Sequence, residues 1–160
     1  MADGDALLAA LRASPERSGV FTDFDGTLAP LVADPDDSRA VPGATEALSA
    51  LAAAYGRVAV LSGRPVGFLA RHFTPGPLVL SGLYGLELAD GAGRRDHPEG
   101  RRWRPVVAGS VERATAEGPP GMRVEDKGLS LTLHYREHPE AGDAVRRWVE
   151  AEATRTGLVP

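Results

Sequence analysis

In the stretch "GVFTDFDGTLAPL", residues 19–31, an apolar run ends on two aspartates, Asp23 and Asp25, followed at once by Gly26 and Thr27. Two carboxylates this close repel one another unless a cation or a shared proton offsets the charge. A hard divalent ion such as Mg2+, which takes oxygen ligands and retains waters for contact with phosphate, suits that setting. One carboxylate could then act as a nucleophile and form an acyl-phosphate, while its neighbour two residues on gives a proton to the leaving oxygen. Gly26 permits a sharp turn and a close approach of backbone N–H groups to an anion, and Thr27 adds a hydroxyl. The competing reading is a strand that simply ends in an Asx-rich turn. A calcium loop fails, because counting from Asp23 its glycine and glutamate positions hold Leu28 and Asp34.

The elements that would position these acids follow from periodicity and punctuation. Gly19 to Thr22 reads as a first strand. "VPGATEALSALAAAYG" places Pro42 at a helix start and Gly56 at its end, with Leu48, Leu51 and Tyr55 on one face. "RVAVLSG" is a second buried strand that stops at Ser62 and Gly63. "RPVGFLARHF" restarts a helix with Pro65 in its first turn, and Leu78 to Gly82 forms a third strand. This alternation predicts an α/β fold with parallel strands and crossover helices, half of a doubly wound sheet. Ligands of such sheets bind beyond the carboxyl ends of the strands. Asp23 and Asp25, Ser62 and Gly63, and Ser81 and Gly82 all fall there.

After about Tyr84 the pattern changes. A short hairpin with its turn at Asp90 to Gly93 leads to "WRPVVAGSVERATAEG", where Trp103, Val106, Val107 and Val111 have near-helical spacing. "MRVED" and "LSLTLHY" are strands joined through Lys127 and Gly128. In the second, Leu129, Leu131, Leu133 and Tyr135 alternate with Ser130, Thr132 and His134. A final helix follows, so a second, smaller unit is expected, with helices on one face of an antiparallel sheet.

Composition narrows the function classes. The 160 residues carry 18 Lys and Arg against 22 Asp and Glu, a formal charge of −4, which gives no basic footprint for nucleic acid. Arg94, Arg95, Arg101, Arg102 and Arg104 cluster, but as a solvated loop. There is no cysteine, hence no disulfide and no thiolate metal site. The N-terminal residues form a short amphipathic helix rather than a signal peptide, and no apolar run approaches a membrane span. A cytoplasmic location is expected, with no nucleic-acid or membrane partner.

"DFDGTL" resembles the first motif of the haloacid-dehalogenase-like phosphohydrolases, and "LSGR" at Leu61 to Arg64 is similar to their second. Taken together, "DFDGTLAPL", "VLSGRP", "GLYGLE" and "VEDKGLSLTLHYR" resemble the trehalose-6-phosphate phosphatases, over nearly the whole chain from about residue 18. The resemblance implies a Rossmann-like haloacid-dehalogenase-type core, of which residues 1–83 are the N-terminal part, and an inserted α/β cap over residues 84–160. It implies Asp23 as nucleophile and Mg2+ ligand, and Asp25 as general acid then base with its carbonyl on the metal. Thr27, Ser62 and the Gly63 amide would bind the phosphoryl group. Arg64 would stand on the substrate side, and Glu125 and Lys127 would reach the sugar hydroxyls. Gly82 and Gly85 match glycines of a hinge, and Glu87 matches an acid there. Tyr84 stands where relatives often carry histidine. His134, Tyr135 and Arg136 match a cap-strand motif. The substrate would be a sugar phosphate, and a trehalose-phosphate synthase is a conceivable partner.

The resemblance also implies a lysine and a "GDxxxDE"-like cluster beyond the cap. Neither is present, so the sequence reads as an N-terminal fragment, weakly active or inactive alone. Hydrolysis of another sugar phosphate, or sugar-phosphate binding without hydrolysis, remain as rivals. Plainer readings stand beside the individual residues. Ser62 and Gly63 could be a turn, and Glu125 and Lys127 a surface ion pair. His134 could be a hydrogen-bonded structural residue, and "DPDD" at Asp34 to Asp37 a solvated loop with capping potential. Trp103 and Trp148 are expected to pack, and His72, His97 and His138 have no metal-ligand spacing.

Overall fold

Three short apolar runs separated by helical segments become three parallel strands in the computed structural model, which describes residues 4–32 and 34–160. They are β1 (Gly19–Asp23), β2 (Arg57–Leu61) and β3 (Leu78–Gly82). The antiparallel hairpin β4 (Glu87–Asp90) and β5 (Gly93–Asp96) continues the same sheet, in the order β1-β2-β3-β4-β5. The parallel register pairs Asp23 with Leu61 and Leu61 with Ser81, so three strands end level with one another. Val58, Ala59 and Val60 of β2 are all buried, as expected of an apolar run in a parallel strand covered on both faces. β1 has one neighbour among the described strands, and its Phe21 stays 61% exposed.

Helix α1 (Gly4–Ala13) buries no residue, whereas α2 (Ala44–Ala54) buries Ala44 and Leu48 against the core of Phe24, Val58, Val60, Leu69, Phe73 and Leu80. The helix expected over "RPVGFLARHF" is shorter than its pattern suggests. Helix α3 is a single turn, Val66–Leu69, after which the N–H groups of Arg71 and His72 bond three residues back, to Phe68 and Leu69, in tight turns.

The chain divides into two compact units, one ending at His97 and one spanning Pro98–Pro160. The break therefore follows the β4–β5 hairpin rather than preceding it, because that hairpin pairs with β3. In the second unit α4 (Pro98–Glu117) begins earlier than the valine spacing alone indicates. Pro98 at its first position and Glu99 in its first turn are favourable start residues, and Pro105 is carried inside it. Its buried side is Gly100, Val107, Ser110 and Ala114. The strands β6 (Arg123–Asp126) and β7 (Leu131–His134) pair antiparallel through a turn at Gly128, where the Gly128 N–H donates to Asp126 Oδ1 at 2.7 Å. Helix α5 (Gly142–Thr156) follows, burying Val145. Among the described residues no helix is long and apolar enough to cross a membrane.

Candidate active site

Two acids can flank the end of β1 because the residue between them does the burying. Phe24 is fully buried, with its ring 5.6 Å from that of Phe68 and 6.0 Å from that of Phe73. The strand's alternation then leaves exposed Asp23 and half-buried Asp25 on the opposite side. The Phe24 carbonyl accepts from the N–H groups of Thr27, Leu28 and Ala29 at 3.3, 2.9 and 2.9 Å, and the Gly26 N–H donates to the Ala29 carbonyl at 2.8 Å. That closes "DFDGTLA" into a tight loop, with Gly26 at φ +80° and Thr27 exposed on it. Asp23 Oδ1 accepts the Phe24 N–H at 2.7 Å.

Arg64 faces Asp25. Its Nε donates to Oδ2 at 2.9 Å and its Nη2 to Oδ1 at 2.8 Å, a two-pronged charge-assisted pair. Nη1 donates to the Pro35 carbonyl at 2.6 Å, and the guanidinium lies 4.3 Å over the Phe68 ring. The fully buried Ser38 adds its hydroxyl to Asp25 Oδ1 at 3.3 Å. The guanidinium that the sequence resemblance turns toward substrate thus fastens the Asp25 loop to the end of β2. The "DPDD" run behaves as anticipated: Asp34 Oδ1 accepts from the Asp36 N–H and caps a short turn over Pro35–Asp37.

Ser62 is buried at the end of β2. Its N–H donates to the Ser81 carbonyl at 2.9 Å and its hydroxyl accepts from the Arg64 N–H at 3.1 Å. Beside it runs a strained strap, in which Leu83 and Tyr84 both sit in the left-handed region, at φ 50° and 54°. Each such residue costs on the order of 1–3 kcal/mol and persists only where surrounding structure over-determines it. Here the Leu83 N–H donates to the Arg64 carbonyl and the Tyr84 N–H to the Ser62 carbonyl, both at 3.0 Å. Gly82 permits the close approach, since a Cβ there would lie 2.5 Å from the Val66 nitrogen and 2.7 Å from the Arg64 oxygen.

Glu87 is a functional neighbour that its sequence position alone does not explain. It is buried, accepts the Val66 N–H at 2.7 Å and pairs with Arg94 at 2.8 Å, so it fixes the turn after Arg64. His72 lies behind the site, 5.3 Å from the rings of both Phe24 and Phe68, with its Nε2 buried and unpartnered among the described residues. Burial, then the charges of Arg39, Arg71 and Arg64, hold its pKa below the ordinary imidazole value.

In the second unit Glu125 and His134 lie on one face of the β6–β7 pair, where Arg123 is opposite His134 and Glu125 opposite Thr132. Glu125 Oε2 is 2.7 Å from His134 Nε2 and 3.7 Å from Lys127 Nζ. The register of the hairpin, counted outward from Lys127 and Gly128, would have found the His134 contact. Tyr135 accepts from Arg146 at 3.2 Å, and Arg136 is exposed.

No group of three or more His, Asp or Glu side chains converges on a metal site among the described residues. Mg2+ ordinarily needs only one or two carboxylates and keeps its waters, and the exposed Asp23 carboxylate supplies the oxygen donors such an ion takes.

A family profile described as trehalose-phosphatase matches residues 21–159. The chain belongs to the trehalose-phosphatase family. Among curated relatives of this family, it is 38% identical to a trehalose-phosphate phosphatase of Mycobacterium leprae over 120 residues, 73% of this chain and 28% of that one. It is 30% identical to a probable trehalose-phosphate phosphatase of Sinorhizobium fredii, over 96% of this chain and 58% of that one. The solved C-terminal domain of trehalose-6-phosphate phosphatase from C. albicans aligns with a TM-score of 0.72 at 25% identity, covering 97% of this chain and 55% of that one. The chain thus spans between about a quarter and three fifths of the relatives it matches.

Proposed function

We propose that the chain carries the nucleophile-bearing part of a phosphoric monoester hydrolase acting on trehalose 6-phosphate. The observation that carries this reading is the placement of Asp23 and Asp25 at the end of β1, split by buried Phe24 and level with Ser62 on the adjoining strand. In the proposed reaction a carboxylate oxygen of Asp23 attacks phosphorus while the bond from phosphorus to the sugar oxygen breaks. Asp25 gives its proton to that oxygen, releasing trehalose. Water then attacks the aspartyl-phosphate, its proton passes to Asp25, and inorganic phosphate leaves as the Asp23 carboxylate is restored. Mg2+, held by Asp23 and the Asp25 carbonyl, would supply positive charge against the phosphoryl oxygens.

Arg64 presents donors to both Asp25 oxygens, an arrangement that suits the base half of the cycle. The acid half requires one Arg64 bond to be released as substrate enters. Thr27, Ser62 and the Gly63 amide are the proposed phosphate contacts, and Glu125 and Lys127 the sugar contacts. We assign the β1–β3 layer to a haloacid-dehalogenase-type core and the α4–α5 unit to its cap, with the β4–β5 hairpin as the connection in sequence. Phosphate release from trehalose 6-phosphate with Mg2+ tests the reading. Weak but measurable release by the chain and none from Asp23→Asn is expected; equal release from both would overturn it. The hold of Arg64 on Asp25 favours a second reading, sugar-phosphate binding without hydrolysis, which binding with no release would establish.

A further inference from the structure

We infer that Tyr84 is a specificity-determining residue, whose ring is the platform on which the sugar of a sugar phosphate rests while its phosphate occupies the Ser62–Gly63 loop. The inference rests on the proposed phosphate site and extends it to the part of the substrate that the strand ends do not explain.

Three observations converge on this side chain. Tyr84 is 90% exposed, so burial of its ring gives almost nothing to the fold. The ring is nevertheless not free in solvent: a Cβ built on Gly63 would lie 2.6 Å from both its Cζ and its hydroxyl oxygen, so the outer edge of the ring covers Gly63. Finally, Leu83 and Tyr84 are two consecutive non-glycine residues in the left-handed region, the only such residues among those described. A packed core can enforce strain of this kind, and for Leu83, which is 1% exposed, it does. For Tyr84 it does not. What holds Tyr84 is its own N–H bond to the Ser62 carbonyl together with that of Leu83 to the Arg64 carbonyl, one on each side of Gly63. The strap is thus fastened to the phosphate loop itself, and its effect is to lay an aromatic face at the mouth of that loop.

A phenol ring is large, stiff and amphipathic, with two side-chain torsions to order and one polar tip. The C–H faces of a hexose are the apolar surface of an otherwise hydroxylated ligand. Stacked on Tyr84, a sugar would be selected by shape and apolar contact at the point where the phosphate is selected by charge. Glycine at position 63 is then required twice, for the approach of its amide to an anion and for the seat of the ring above it.

The test compares two probes, trehalose 6-phosphate and inorganic phosphate, by calorimetric titration of the chain and of Tyr84→Ala, Tyr84→Phe and Tyr84→Gly. Tyr84→Ala should weaken trehalose 6-phosphate about tenfold while inorganic phosphate stays within about twofold. Tyr84→Phe, which keeps the face, should stay within about threefold of the parent for both probes. Tyr84→Gly should lose the sugar preference as alanine does, yet unfold at the same or a higher temperature, because glycine relieves the left-handed backbone. Equal weakening of both probes, or of neither, would overturn the platform while leaving the phosphate site standing. Absence of phosphate binding by the parent chain overturns the phosphate site and the platform with it.

Discussion

The side chains of Asp25 in the first unit and Glu125 in the second are each 31% exposed, and each is held by a nitrogen-bearing side chain at 2.7–2.9 Å. Burial therefore does not distinguish them; the partner does. Asp25 is gripped at both oxygens by a planar guanidinium that stays charged at every relevant pH. Glu125 meets the His134 imidazole through a single oxygen and one ring nitrogen, with the Lys127 ammonium more distant. The first arrangement fixes a carboxylate in place, while the second leaves one adjustable. That difference is the one expected if, as proposed, Asp25 reacts and Glu125 recognises the sugar.

The comparison breaks most sharply on turnover. Asp25→Asn should lower phosphate release from trehalose 6-phosphate by at least about a hundredfold, the scale of a lost general acid. Glu125→Gln should raise KM a few-fold with kcat nearly unchanged; a matching fall in kcat would erase the distinction. Removal of the metal with a chelator should abolish release in both backgrounds and be reversed by added Mg2+. In urea unfolding, Arg64→Ala should cost about 2 kcal/mol, because it strands a hydrogen-bonded carboxylate, whereas His134→Ala should cost less than about 1 kcal/mol.

Acid sensitivity sharpens the contrast further through His72 in the first unit. Its folded-state pKa is held below the ordinary 6.5 by burial, with Arg39, Arg71 and Arg64 adding to the effect. The neutral ring is the form the fold prefers. Its contribution is therefore full above about pH 6.5 and lost as pH falls through the lowered value. His72→Gln should flatten that part of the stability profile. The smallest effect is expected at the half-buried Asp90 of the β4–β5 hairpin, whose bond from Arg95 brings its pKa to about 2. Arg95→Gln should return its NMR titration toward 3.8, with little change in unfolding.

Much of the frame was legible along the chain. β1 to β3 end where Asp23, Ser62 and Gly82 suggest, because buried parallel strands write themselves as short apolar runs. The hairpin turn at Gly128 was equally open to reading. The direction of Arg64 was not, for its partner lies 39 residues away and a long flexible side chain carries no periodicity. The anchor at the start of α3 was not legible either, for the Val66 N–H is held by Glu87, a carboxylate from another strand. Nor does composition reveal a left-handed tyrosine. Its backbone angles follow from its own bond to Ser62 and that of Leu83 to Arg64, against its local preference.

Gly82 gives the site a mechanical character. Where β3 passes beneath the turn after Arg64, the gap between the two backbones is narrower than a methyl group can enter. The loop that carries Ser62, Gly63 and Arg64 is seated main chain on main chain, with no side chain between to yield. Its height above the sheet is therefore gauged to less than the width of one carbon atom. A single added methyl at residue 82, adding no charge and opening no void, would act on the loop as a wedge.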